Sequence, residues 1–259
     1  MNKQFILNYT GTKYKETKEL DSVDFSIYDT IIEPFGGSFG FSRYLWEIKG
    51  YTDKKYIIYD IDTDLINFYK TIQEKIKDDT IDLLLEDYNN VVEIIKDKCQ
   101  NTKYNKYEVL DRKEVKKYIE DLDPIIKYMI NKNILSSIIP KPTFKKKVCF
   151  LDMFKNITFI NESFFNIDMS PYKSPNTLIY FDPPYLSEYN DDYSGHHKNK
   201  EENIYKSVLD IFNDSYKCIM IHSFGFLINM VFEKYKYYEY TKIYSMRKKK
   251  VKHIVYYNI

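Results

Sequence analysis

Alanine is absent from the 259 residues, and arginine occurs only at Arg43, Arg112 and Arg247. Tyrosine, by contrast, occurs 27 times. AT-rich codon usage favours Lys, Asn, Ile and Tyr over Ala and Arg, so the skew points to an AT-rich genome and says nothing about mechanism. It also weakens any argument from lysine counts, because Lys stands where Arg otherwise would. Cysteine is scarce too: Cys99, Cys149 and Cys218 lie far apart and form no CxxC pair. That spacing argues against a zinc site or a disulfide framework and fits a reducing compartment. No apolar run reaches membrane-spanning length, and the first residues do not read as a signal peptide. The expectation is an intracellular protein (cytoplasmic, nuclear or virus-associated) with no membrane partner.

What is present suits a folded domain. Hydrophobic residues make up 44% of the chain and charged residues 30%, with a mean hydropathy of -0.52. A chain of this length can bury a full core, as one large domain or a domain carrying an insert. The formal net charge of +1 hides segregation. Residues 95–147 hold 14 Lys or Arg against 7 Asp or Glu, and residues 234–252 hold 8 against Glu239 alone. Two basic segments on an acidic body suggest a polyanion contacted locally. The competing reading is a solvated lysine surface.

The apolar run Tyr28 to Ile32 reads as a short buried strand, entering Glu33-Pro34-Phe35-Gly36-Gly37-Ser38-Phe39-Gly40 and then a helix from Phe41 to Ile48. A second run, Tyr56 to Tyr59, ends at Asp60-Ile61-Asp62 and precedes a helix with Leu65, Phe68, Tyr69 and Ile72 on one face. Two βα units in succession predict an α/β fold with a doubly wound, mainly parallel sheet. From residue 78 to 147 the texture changes to Ile/Leu/Lys-rich helical patterns broken by Asn/Lys/Tyr stretches, which predicts an inserted helical subdomain. The main domain is then 1–77 with 148–259. Strands are expected at Ile157–Asn161, Thr177–Phe181 and Cys218–His222, with a helix near 203–212. An antiparallel pair, Tyr235–Tyr244 and Val251–Tyr257, follows, joined through Arg247-Lys248-Lys249-Lys250.

The strongest chemical signal is Asp182-Pro183-Pro184-Tyr185, directly after the apolar run Leu178–Phe181. Proline cannot continue a ladder, so the strand ends there. Carboxyl ends of strands are where open α/β sheets bind ligands. A carboxylate, a constrained carbonyl and an aromatic ring together suit one task. The exocyclic amine of adenine is a weak nucleophile, its lone pair being delocalised into the ring. Asp182 and the Pro183 carbonyl can accept its two N–H bonds and orient it toward a methyl donor, while Tyr185 stacks on the extruded base. Upstream, Glu33 to Gly40 is neither a dinucleotide fingerprint nor a phosphate loop. With Asp60 at the end of the second strand, about 20 residues on, it suggests a nucleoside cofactor.

In this order the motifs resemble the Dam-like adenine-N6 DNA methyltransferases across nearly the whole chain. Asn8-Tyr9-Thr10-Gly11-Thr12-Lys13 resembles the family's N-terminal cofactor loop, and Glu33 to Gly40 its acidic-Pro-Phe-glycine turn. Asp60-Ile61 resembles its ribose-binding strand end, Asn161-Glu162-Ser163-Phe164 the segment that holds the cofactor's adenine, and Asp182 to Tyr185 its catalytic tetrapeptide. The resemblance implies a Rossmann-like methyltransferase sheet, S-adenosylmethionine as cofactor, and transfer of a methyl group to adenine N6 in DNA without a metal or covalent intermediate. It implies that Tyr9, Gly11 and Lys13, the turn Glu33, Pro34, Phe35, Gly36, Gly37, Ser38 and Phe39, then Asp60, Ile61, Ser163, Phe164 and Asp182 contact the cofactor. Lys145, Lys146, Lys147, Arg247, Lys248, Lys249 and Lys250 are the candidate phosphate contacts.

The chain departs from the family in Glu33, where Asp is frequent, in Phe39 among the glycines, and in the polar segment 187–200 with His196 and His197. The alternatives are an RNA adenine methyltransferase and a catalytically silent nucleic-acid-binding subunit of the same fold; intact Asp182 to Tyr185 argues against the latter. Monomer and homodimer are both compatible with the sequence, and nothing in it identifies a partner restriction endonuclease.

Overall fold

The structure, a computed structural model, describes residues 6–7, 14, 16–98, 100–104, 107–135, 151–184, 198–244 and 249–258. Strand β1 (Thr30–Glu33) leads to helix α1 (Gly40–Glu47), and β2 (Lys55–Asp60) to α2 (Thr63–Lys77). Then come α3 (Ile81–Lys98), the strands β3 (Gln100–Tyr104) and β4 (Tyr107–Leu110), α4 (Arg112–Tyr118), α5 (Pro124–Ile130) and the short α6 (Leu151–Phe154). The alternation resumes with β5 (Ile157–Asn161), β6 (Thr177–Phe181), α7 (Lys198–Asn213), β7 (Lys217–Ser223) and α8 (Phe226–Val231), and ends on β8 (Lys236–Tyr244) and β9 (Lys249–Asn258).

Two compact units divide the chain, one of Met1–Gly11 with Asp64–Lys155, the other of Thr12–Thr63 with Asn156–Ile259. The second contains a seven-stranded sheet in the order β5-β2-β1-β6-β7-β9-β8. Its first five strands run parallel, and β9 pairs antiparallel with both β7 and β8. The expected α/β doubly wound fold is therefore present. The chain winds outward from β1 through β2 to β5, then returns to β6 on the other side of β1. The carboxyl ends of β1 and β6 thus flank the topological switch point, where such sheets bind ligands.

Burial on both faces explains the apolar character of the central strands. Alternate residues point to opposite sides. Ile32, Ile57, Ile179, Phe181 and Met220 join Val208 and Phe212 of α7 in one core cluster. On the other side Tyr180 stacks on Phe41 of α1, with ring centroids 4.3 Å apart. Parallel strands need such cover, because neither sheet face meets water.

The other unit is less purely helical than its lysine-rich pattern predicts. Strands β3 and β4 form an antiparallel pair in the Asn/Lys/Tyr stretch, where β-favouring Tyr, Thr and Val alternate with polar residues. Helices α4 and α5 each begin on an aspartate whose carboxylate caps backbone N–H groups, Asp111 for Lys113 and Glu114, Asp123 for Ile125 and Ile126. The buried Asn133 side chain donates to the Ile6 carbonyl at 3.0 Å, fastening residues far apart in sequence within this unit. Among the described residues no helix is long and apolar enough to cross a membrane.

Candidate active site

The turn after β1 is held by its own backbone. The Gly36 N–H donates to the Tyr59 carbonyl at 2.7 Å, bringing the turn against the end of β2. A Cβ at Gly36 would lie 2.2 Å from Ile58 Cγ2 and 2.9 Å from the Tyr59 carbonyl oxygen, so only glycine permits this approach. Gly37 follows with φ of 47°, a left-handed conformation glycine adopts at little cost. Its N–H donates to Asp60 Oδ2 at 2.8 Å, and the Asp62 N–H donates to Asp60 Oδ1 at the same distance. The half-buried Asp60 carboxylate therefore clasps the glycine turn from the end of β2.

Phe39 also takes a left-handed conformation, with φ of 39°, immediately before α1. For a bulky residue that costs on the order of 1–3 kcal/mol. Burial compensates: the side chain is fully buried and meets Phe159 of β5 edge-on. Phe39 cannot cap α1 with an oxygen, and Glu33 does this in its place. Glu33 Oε1 accepts the Ser42 N–H at 2.8 Å in the first turn of the helix. Burial pushes the Glu33 carboxyl up to about 8, the Ser42 hydrogen bonds oppose that rise, and the negative charge of Asp182 adds to it. Glu33 and Asp182 thus feel one another across the switch point.

Asp182, part-buried, is the first residue beyond β6. On its inner side Tyr180 is wholly buried, and its hydroxyl finds no hydrogen-bond partner among the described residues. Burial raises the Tyr180 phenol well above its ordinary range, and the charges of Asp182, Glu16, Glu33 and Tyr240 raise it further. The charges of Glu16 and Glu33, distant in sequence, and of Asp182, two residues on, thus all act on one orphaned hydroxyl. Pro184 is tied from the other side: the Tyr205 hydroxyl of α7 donates to its carbonyl at 2.8 Å and lies 2.5 Å from His222 Nε2 of β7. The His222 ring is fixed in turn through Nδ1, 2.6 Å from the Ser223 carbonyl. Neither Tyr205 nor His222 carried a motif signal in the sequence. Their relation to Pro184 exists only once β6, α7 and β7 are adjacent.

The remaining sequence candidates fall into three groups. At the β5 end, Asn161 donates to the Asp60 carbonyl at 3.0 Å, and Glu162 orders the Ser163 N–H and Asn166. Phe164 there is 8% exposed and packs against Phe35 and Phe181, whereas its neighbour Phe165 is 46% exposed. Ile61, beside Asp60, is 66% exposed. Tyr9, Gly11, Lys13, Lys145, Lys146, Lys147, Tyr185, His196, His197, Arg247 and Lys248 lie outside the described residues; Lys249 and Lys250 begin β9, with Lys250 exposed.

The described residues after the N-terminal loop are well anchored. The Tyr14 hydroxyl donates to Glu47 at 2.7 Å under the Arg43 guanidinium. The buried Glu16 carboxylate is held by Tyr240 at 2.6 Å, by Lys242 and by His253 at 3.2 Å, joining the chain start to the β8–β9 pair.

No curated protein is similar enough to the chain to match it. A family model does match: that of the D12 class N6 adenine-specific DNA methyltransferases, over residues 9–148. The matched stretch runs from the N-terminal loop through the glycine turn and Asp60 to the end of the basic insert; the 182–185 tetrapeptide lies downstream of it. With more than half of its residues matched, the chain belongs to the D12 class N6 adenine-specific DNA methyltransferase family, and it is a DNA adenine-N6 methyltransferase that uses S-adenosylmethionine.

Proposed function

We propose that the enzyme modifies an adenine turned out of the DNA helix, at sequences selected by residues of the 78–147 segment, and that the switch point between β1 and β6 is where the transfer occurs. The observation that carries this reading is the adjacency of the parallel strands β1 and β6, which end on Glu33 and run into Asp182, beside the Asp60-bound glycine turn.

The residues present suit the cofactor. S-adenosylmethionine offers a sulfonium and an ammonium cation, a ribose diol and an adenine ring. The part-buried Asp182 carboxylate at the end of β6 would match a cationic, hydrogen-bonding ligand. Asp60 accepts from the ribose, with the second lone pair of each oxygen still able to bond when one is used by the turn. Ile61, Ser163 and Phe164 would flank the adenine, and the turn 33–39 would hold the methionine half. When bound, the cofactor supplies an electrophilic methyl group on sulfur.

The protein's part in the reaction is orientation and charge. Asp182 and the Pro183 carbonyl accept the two N–H groups of the adenine amine, turning its lone pair out of conjugation and toward the methyl group. Tyr185 stacks on the base and keeps it out of the duplex. As nitrogen gains its new bond it becomes acidic, and Asp182 takes one of its protons. Lys145, Lys146, Lys147, Arg247, Lys248, Lys249 and Lys250 hold phosphates and set the register without reading bases.

The test is labelled-methyl transfer to unmethylated DNA and to RNA by the parent and by Asp182→Ala. The reading expects N6-methyladenine in DNA from the parent and none from the variant. Transfer to RNA in preference to DNA, or turnover that survives the substitution, would refute it.

A further inference from the structure

The two prolines of the tetrapeptide have no N–H, so at those two positions only a carbonyl can be tied. One of them, that of Pro184, receives the Tyr205 hydroxyl at 2.8 Å. The hydrogen bond fixes the direction of the Pro184 carbonyl. Tyr205 is 4% exposed and His222 2%. The rings stand nearly perpendicular, with centroids 5.3 Å apart.

We infer that Tyr205 and His222 form a buried positioning pair for the Asp182-Pro183-Pro184 segment: His222 fixes the Tyr205 hydroxyl, and Tyr205 fixes the Pro184 carbonyl. The proton positions support a directed chain. His222 Nδ1 lies 2.6 Å from the Ser223 carbonyl, a separation that two lone pairs cannot share, so Nδ1 carries a proton and the ring orientation is set. Because Tyr205 gives its one hydroxyl proton to Pro184, Nε2 is the donor to the tyrosine oxygen at 2.5 Å, and both ring nitrogens carry a proton in this chain. Each bond is buried, where an unpaired polar group costs more than in water. The pair reaches from α7 and β7 across to the end of β6, so it couples three elements to one backbone oxygen. Neither ring touches substrate; both act through the tetrapeptide.

The inference rests on the tetrapeptide being the catalytic segment, so Asp182→Ala accompanies every measurement. Tyr205→Phe in the full chain removes the hydroxyl and keeps the ring. Steady-state labelled-methyl transfer to unmethylated DNA should show kcat lowered roughly 10- to 100-fold, the scale of a small misplacement at a reacting centre. S-adenosylmethionine affinity by calorimetry should stay near that of the parent, while the melting temperature falls by a few degrees for the buried hydrogen bonds lost. His222→Leu should lower kcat similarly, the double variant should be no worse than either, and His222→Gln, which keeps a donor near Nε2, should recover part of the loss. If Asp182→Ala is silent but Tyr205→Phe turns over within about twofold of the parent, the positioning pair is refuted and the site reading stands. If Tyr205→Phe lowers stability, cofactor affinity and kcat together, the pair is ordinary core and the inference also fails. If Asp182→Ala keeps its turnover, the site reading falls and this inference with it.

Discussion

The two strand ends that flank the switch point are built in opposite ways. The turn after β1 is fixed through its backbone N–H groups: Gly36 donates to the Tyr59 carbonyl and Gly37 to the Asp60 carboxylate, while Glu33 accepts the Ser42 N–H as the helix cap that Phe39 cannot supply. The segment after β6 lacks an N–H at both prolines, and the Pro184 carbonyl is held by side chains from α7 and β7. Backbone contacts make a shape that few substitutions can enter, as a binding surface for a fixed cofactor requires. Side-chain contacts fix only the group they touch. They leave the rest of the segment available to a substrate that arrives and departs with every turnover.

Asp182→Ala should affect the β6 end most, lowering kcat by at least about 10²–10³-fold, the loss typical of removing one group that stabilises the transition state. Cofactor affinity should hold, and parallel loss of affinity in calorimetry would show that the two ends are not divided in this way. Asp60→Ala should do the reverse. Cofactor binding should weaken by about 1.5–3 kcal/mol, the scale of hydrogen bonds to a charged group; unchanged affinity in a folded variant would remove Asp60 from the ribose.

Gly36→Ala tests the claim that the β1 turn tolerates no Cβ. Its clash with Ile58 and the Tyr59 carbonyl should cost about 1–3 kcal/mol of stability, read by denaturant unfolding. A neutral outcome would mean the turn yields more easily than its geometry says. Glu33→Gln tests the buried carboxyl. Its proton is held to about 8 in the folded chain against an ordinary 4.5, so the unfolded chain ionises first as pH rises. The stability that the protonated group contributes is complete below about 4.5 and is lost as pH climbs through about 8. Relative to the parent, the variant should therefore gain melting temperature from pH 5 to 9, at about 2–4 °C for each kcal/mol. A difference that does not vary with pH would contradict the assignment. The smallest effect is expected where neither strand end is touched. Changing Lys248, Lys249 and Lys250 to Gln should flatten the log–log salt dependence of DNA binding by roughly one to three units, without changing which adenine is modified. An unaltered slope would return these lysines to the solvated surface.

Much of the fold was legible because parallel strands buried on both faces read as plain apolar runs. The spans Ile157–Asn161 and Thr177–Phe181 match the observed strands, and the antiparallel pair at the C-terminus is present as β8 and β9. The β3–β4 pair was missed because its alternation is short and embedded in lysine-rich sequence, where solvated residues obscure a period of two. In the site, Asp60 and Asp182 stood out through their places at strand ends. Tyr205 and His222 did not, because one tyrosine among 27 and one histidine among four carry no signal without neighbours.

The amino-acid sequence by itself determined the order of elements, the doubly wound sheet and the residue types at each strand's carboxyl end. Those depend on local rules: apolar periodicity, proline's missing N–H and glycine's freedom of φ. Only the tertiary structure decided which ends meet. The strand order brings β1, residues 30–33, beside β6, residues 177–181, so that Glu33 and Asp182 share a field. It likewise sets Tyr205 between Pro184 and His222 and brings the Tyr180 phenol within the field of Asp182, Glu16 and Glu33. Hydrogen bonds and charge coupling act over a few ångströms, and separation along a chain does not specify separation in space.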